Sequence, residues 1–138
     1  MANNVIIMRG VPGAGKTTLS HQAFPQAVFC SADDYFVVDG RFCYDKTKLP
    51  LAHQACWRKF FDAVLRGEKL IVVDNTNIRA HELTSYMLPA EAHGYAVEVI
   101  TVMADPQVAA ESNVHGATRE YVERAHRTLL EQTRGFPP

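Results

Sequence analysis

The stretch V-I-I-M-R-G-V-P-G-A-G-K-T, residues 5–17, decides the fold. Its first half, Val5 to Met8, is a short continuous apolar run of the kind that forms a strand buried on both faces. Its second half, Gly10 to Thr17, has the complete spacing of a phosphate-binding loop. Glycines are needed there because the backbone must curl until successive N–H groups point inward at phosphate oxygens. The N-terminus of the following helix adds unpaired N–H groups and partial positive charge. In such a loop Lys16 reaches the β- and γ-phosphates and the Thr17 hydroxyl ligates Mg²⁺. Gly10, Pro12, Gly13, Ala14, Gly15, Lys16, Thr17 and Thr18 are therefore the expected nucleotide-binding residues, with ATP and Mg²⁺ as the expected ligands.

Working outward, three more apolar runs, Ala27–Cys30, Leu70–Asp74 and Val97–Met103, alternate with helical patterns. Alternating strands and helices predict an α/β fold with a mostly parallel central sheet of four to five strands, covered by helices in a three-layer sandwich. Leu49, Ala52, Cys56, Phe60 and Val64 recur at steps of three and four, which predicts an amphipathic helix over 49–65. Thr47 is its expected cap, Pro50 is tolerated in its first turn, and Gly67 ends it. A further helix is expected from Arg79 to about Ala92, bent or split by Pro89. Beyond Pro106 the pattern is helical to about Thr133, with a break near His115-Gly116 and a short G-F-P-P tail.

The length of 138 residues suits one domain, 1–138, and a 47% hydrophobic fraction is ample for its core. A formal net charge of −1 excludes a large basic nucleic-acid footprint but leaves room for a small basic groove. Three cysteines, Cys30, Cys43 and Cys56, lack metal-type spacing and read as free thiols in a reducing compartment. The N-terminus lacks the pattern of a signal peptide, and no apolar run approaches the roughly twenty residues of a membrane span. A cytoplasmic setting without membrane partners is the expectation.

Outside the loop, Leu70–Val73 delivers the carboxylate of Asp74 to the carboxyl edge of the sheet, where it can serve Mg²⁺ through the ion's water shell. Asp74 also precedes Asn75-Thr76-Asn77 and could simply begin a turn. The run Ala27–Cys30 leads into S-A-D-D-Y-F, residues 31–36, at the same edge. There Asp33 can accept the proton of an attacking hydroxyl, with Asp34 as the next candidate. Spacing alone is as compatible with Ser31 or Asp33 capping a short helix. The segment at about 112–127 concentrates Arg119, Arg124 and Arg127, cations suited to a lid over a triphosphate. Their alternative is a solvated helix face with Glu120–Arg124 and Glu123–Arg127 pairs, the reading favoured for Arg127. His53 reads as a packed core histidine rather than a substrate ligand, and Trp57, Phe60 and Phe61 as core or pocket wall rather than a base-stacking platform.

With G-V-P-G-A-G-K-T, S-A-D-D-Y-F, L-I-V-V-D-N-T-N (70–77) and N-V-H-G-A-T-R-E-Y-V-E-R (113–124) in this order, the chain resembles the P-loop kinase family. That family includes the phage-type polynucleotide kinase domain, related eukaryotic kinase-like ATPase domains and the zeta-toxin type of small kinase. The resemblance runs from about Val5 to Arg127. It implies an adenylate-kinase-like P-loop NTPase fold and an ATP-dependent kinase acting on a hydroxyl, first of all the 5′-hydroxyl of an RNA or DNA end. A small nucleoside, sugar or antibiotic hydroxyl is the second acceptor class, and an ATP-driven switch module the alternative outside catalysis. The resemblance further implies Lys16 and Thr17 on ATP and Mg²⁺, Asp33 as general base, and Arg124 with Arg119 as lid arginines. The chain departs from its relatives at Phe36, where the phage-type enzyme has a phosphate-holding arginine, at Ser112, and at Cys56.

Overall fold

A computed structural model describes residues 2–112 and 116–133. Four strands form one parallel sheet: β1 (Asn4–Arg9), β2 (Val28–Cys30), β5 (Leu70–Asp74) and β6 (Ala96–Thr101), in the order β2-β5-β1-β6. The α/β prediction and the four apolar runs hold, with the last strand ending two residues earlier than its run. β1 sits centrally, register Ile6↔Val72 on one side and Ile6↔Glu98 on the other.

The continuous apolar character of β1 and β5 has a direct structural cause. Val5, Ile7, Ile71 and Val73 face a core built with Ala52, Cys56 and Phe60 of α2 (Leu49–Arg66) and Tyr86 and Ala90 of α3 (Ala80–Ala92). Ile6, Met8 and Val72 face the other side, with Phe24, Phe29 and Ile100, the side on which α1 (Lys16–Ala23) follows the loop. With helices on both faces, every strand position must be apolar. A third cluster joins Val11 and Ile78 to α4 (Pro106–Ser112) and α5 (Arg119–Thr133) through Ala109, Val122 and Leu129.

Several expectations are corrected in detail. Thr47 does not cap α2; it lies in a short 3₁₀ turn, Lys46–Lys48, whose cap is Asp45, accepting from Thr47 N at 3.0 Å and from its hydroxyl at 2.6 Å. Pro89 neither splits nor ends α3. A proline removes the N–H that would bond the carbonyl four residues back, and that carbonyl, of Ser85, accepts instead from Trp57 Nε1 at 3.0 Å. His53 is exposed rather than packed in the core. The sequence reading also missed a small antiparallel hairpin, β3 (Val37–Val38) with β4 (Arg41–Phe42), whose two-residue strands are too short to show a period. Asn113 and His115, part of the expected lid motif and helix break, lie outside the described residues; α4 and α5 are separate helices on either side.

Candidate phosphoryl-transfer site

The loop leaves β1 and turns into α1 through Gly15, whose φ of 96° lies in the left-handed region open to glycine. Gly10 is required for a different reason: a Cβ there would come within 2.7 Å of the Val102 carbonyl oxygen. Lys16 is buried at 8% exposure, and its ammonium donates to Val11 O at 3.0 Å. Burial lowers its pKa, while the carboxylates of Asp74 and Asp33 act to raise it. Pro12, Gly13 and Ala14 are partly exposed along the loop, and Thr18 is exposed in the first turn of α1.

Thr17 Oγ1 donates to Asp74 Oδ2 at 2.7 Å, which ties the helix after the loop to the end of β5. This pair fits Mg²⁺, which keeps several waters and takes few protein ligands beside substrate phosphates. Among the described residues no group of three or more His, Cys, Asp or Glu forms a protein cage for a metal. A cavity of about 460 Å³ is lined by Thr17, Asp74, Asp33, Asp34, His21 and Lys59. Ser31 caps the 3₁₀ turn Ala32–Phe36 by accepting from Asp33 N at 3.3 Å, and Asp33 lines the cavity. Burial raises the Asp34 carboxyl, opposed by Lys59.

Asn75 and Asn77 are the residues the sequence reading undervalued, having taken them for turn formers. Asn75 Oδ1 accepts from Ala32 N at 2.8 Å, and its amide donates to Cys56 Sγ at 3.4 Å. The end of β5 thereby holds the turn that carries Asp33. Asn77, 1% exposed with φ 48°, donates to Met8 O at 2.9 Å. Arg9 completes the clasp, donating from Nε to Asn77 O at 3.0 Å and from Nη2 to Ile78 O at 2.6 Å. The available signal was a lone cation closing the apolar run just ahead of the loop. Arg9→Leu is expected to lower stability by about 2–4 kcal/mol, since two buried carbonyls lose their donor at about 1–3 kcal/mol each. A drop in the urea midpoint at constant slope checks it.

A larger cavity, about 700 Å³, opens beside the first and is lined by Asn75, Arg79, His53, Trp57, Tyr121 and Arg124 among others. Asp74 borders one cavity and Asn75 the other. Arg124 and Arg127, both exposed on α5, line the larger, while Arg119 lines neither and pairs with Glu123 at 3.1 Å. Glu123 thus has Arg119 as its i,i+4 partner, in place of the expected Arg127. Phe36 is 3% exposed within the main core, with Tyr44 at 5.1 Å between ring centroids. Its ring is a packing anchor. The three cysteines are free thiols, with Cys30 and Cys56 buried and Cys43 exposed. No helix among the described residues is long and apolar enough to cross a membrane.

Comparison with known proteins finds relatives in sequence and in fold. Human NEDD4-binding protein 2 is 32% identical over 127 residues, covering 87% of this chain and 7% of that protein. The fold matches a chain of the Pnkp1/Rnl/Hen1 RNA repair complex with a TM-score of 0.79 at 13% identity, over 99% of this chain and 47% of that one. It also matches a gluconokinase from Sinorhizobium meliloti with a TM-score of 0.59 at 16% identity, over 96% and 78% of the two chains. The chain therefore spans less than half of the repair-complex chain and a small part of the human protein. Residues 5–138 match the AAA_33 family, described as an AAA domain, and the chain belongs to that family.

Proposed function

We propose that the protein is an ATP-dependent phosphotransferase that moves the γ-phosphoryl group to a hydroxyl, with the 5′-hydroxyl of a polynucleotide as the acceptor. The observation that carries this reading is the meeting of Thr17, Asp74 and Asp33 on one cavity, with Thr17 bonded to Asp74 at 2.7 Å. In this reading Asp33 takes the proton of the acceptor hydroxyl as its oxygen bonds to the γ-phosphorus, and the bridging bond to the β-phosphate breaks to leave ADP. Lys16 and the loop N–H groups hold the phosphates, and Arg124, at the border of the larger cavity, offsets charge on the moving group. Bound Mg²⁺, held by Thr17 and Asp74, would neutralise charge on the β- and γ-oxygens. The resemblance to a chain of an RNA repair complex supports the choice of acceptor class.

Incubation with γ-labelled ATP and Mg²⁺ in the presence of 5′-hydroxyl RNA and DNA oligonucleotides, nucleosides and a sugar panel tests this. Label is expected on the oligonucleotides. Label on a sugar or nucleoside alone would move the acceptor to a small molecule, and transfer to none would overturn the kinase reading.

A further inference from the structure

Trp57 has a use that packing does not account for. It is the only tryptophan in the chain. A helix residue whose job is to fill the core would be buried, as Phe60 is at 0%, but Trp57 remains 38% exposed on the wall of the larger cavity. Its ring is nevertheless fixed from two directions. Phe61 stacks on it at 5.0 Å with an interplanar angle of 12°, and its indole N–H is held by the Ser85 carbonyl that Pro89 leaves without a helical donor. An exposed ring immobilised in this way loses little freedom on binding a second planar group. The same cavity is lined by Asn75, the residue after Asp74, which places the cavity next to the proposed reaction centre.

The charge along the cavity selects the kind of planar ligand. Arg79 and Arg127 line it together with Arg124, against the carboxylates of Glu82 and Glu131. That small cationic excess suits one or two phosphates and no more, leaving the aromatic surface to supply much of the affinity. Single-stranded nucleic acid is bound by this combination of stacked bases and guanidinium-held phosphates.

We infer that Trp57 is a stacking platform for a base at the 5′ end of a single-stranded polynucleotide, with Arg79 and Arg127 gripping the adjacent phosphates. The inference rests on the phosphotransferase reading only for the direction in which the strand runs. Binding itself can be followed without turnover, because the lone tryptophan reports directly by its fluorescence.

The experiment titrates the protein with a 5′-hydroxyl trinucleotide, the same trinucleotide with abasic sugars, a free nucleoside and a non-hydrolysable ATP analogue, each in the absence of Mg²⁺. The trinucleotide is expected to quench Trp57, and the abasic strand to bind at least about fivefold more weakly, the lower end of what one stacked base contributes. Trp57→Ala, which has no tryptophan left and is followed instead by the fluorescence polarisation of a labelled strand, should lose affinity for the normal strand by the same factor and lose nothing further with the abasic one. Two phosphate contacts predict a log–log salt slope of about −1.4. Equal quenching by normal and abasic strands would overturn the stacking role. A nucleoside binding as tightly as the trinucleotide would overturn the phosphate grip of Arg79 and Arg127 and with it the polynucleotide ligand, and the ATP analogue displacing the strand from Trp57 would assign the ring to the nucleotide donor. If Trp57→Ala melts early, Trp57→Leu, followed by polarisation of the same labelled strands, removes the aromatic face while keeping apolar bulk and provides the same comparison. Quenching without any phosphoryl transfer would leave the platform standing and defeat the kinase, whereas transfer with an unquenched Trp57 would do the reverse.

Discussion

Asp33→Asn is expected to lower kcat by about a hundredfold or more while the affinity for ATP stays near that of the unaltered protein. General-base assistance is worth about 10² to 10⁴ in rate, and asparagine keeps the shape of the side chain while removing its ability to take a proton. The turn is also fixed by Ser31 accepting from the Asp33 backbone and by Asn75 accepting from Ala32 N, two bonds that the substitution keeps. Steady-state kinetics, with ATP affinity measured separately by calorimetry, checks both. Undiminished turnover in Asp33→Asn together with loss in Asp34→Asn would move the role one residue along, to a carboxyl that burial raises and Lys59 restrains.

The contrast between Asp33 and Asn75 shows what a sequence can and cannot disclose about such a site. Asp74 and Asp33 were legible because Asp74 ends one apolar run and Asp33 closely follows another, runs that declare strands when helices cover both faces, and Lys16 because it stands in the glycine spacing of the loop. Asn75, Asn77 and Arg9 were not, because their work is done by hydrogen bonds to backbone atoms 43, 69 and 68 residues away in the chain. No local period records such a partner. His53 misled for a related reason: it borders the apolar stripe of α2, and only the position of α5 across the cavity decides whether that border is core or wall. Pro89 illustrates tertiary compensation. Its local rule predicts a broken helix, and the donor that prevents an unpaired carbonyl comes from another helix, 28 residues distant. The hairpin at 37–42 was invisible because two-residue strands carry no periodicity to detect.

Lys16→Met should abolish phosphoryl transfer, by about 10² to 10³ in kcat, and yet leave the fold at least as stable at neutral pH. The rate loss follows from removing a preorganised cation from the place where charge develops. The stability follows from the cost of holding that cation. Lys16 is nearly buried, and burial lowers its pKa more than Asp74 and Asp33 raise it. Since the folded value lies below 10.5, the unfolded chain binds more protons between the two values, and stability rises with pH through that window. Below the window the folded protein carries the full penalty. Methionine keeps the apolar stem that packs against Gly10 and removes the charge, and the Val11 carbonyl that loses the ammonium still accepts from Ala14 N at 3.2 Å. Urea midpoints for the two proteins should therefore favour Lys16→Met at pH 7 and converge as pH rises toward 10.5. A variant that unfolds early at pH 7 would mean that Lys16 supports the loop structurally, and its loss of turnover would then say nothing about catalysis. If stability is kept and transfer is lost, the buried lysine is a charge the fold tolerates for the sake of the phosphates it holds.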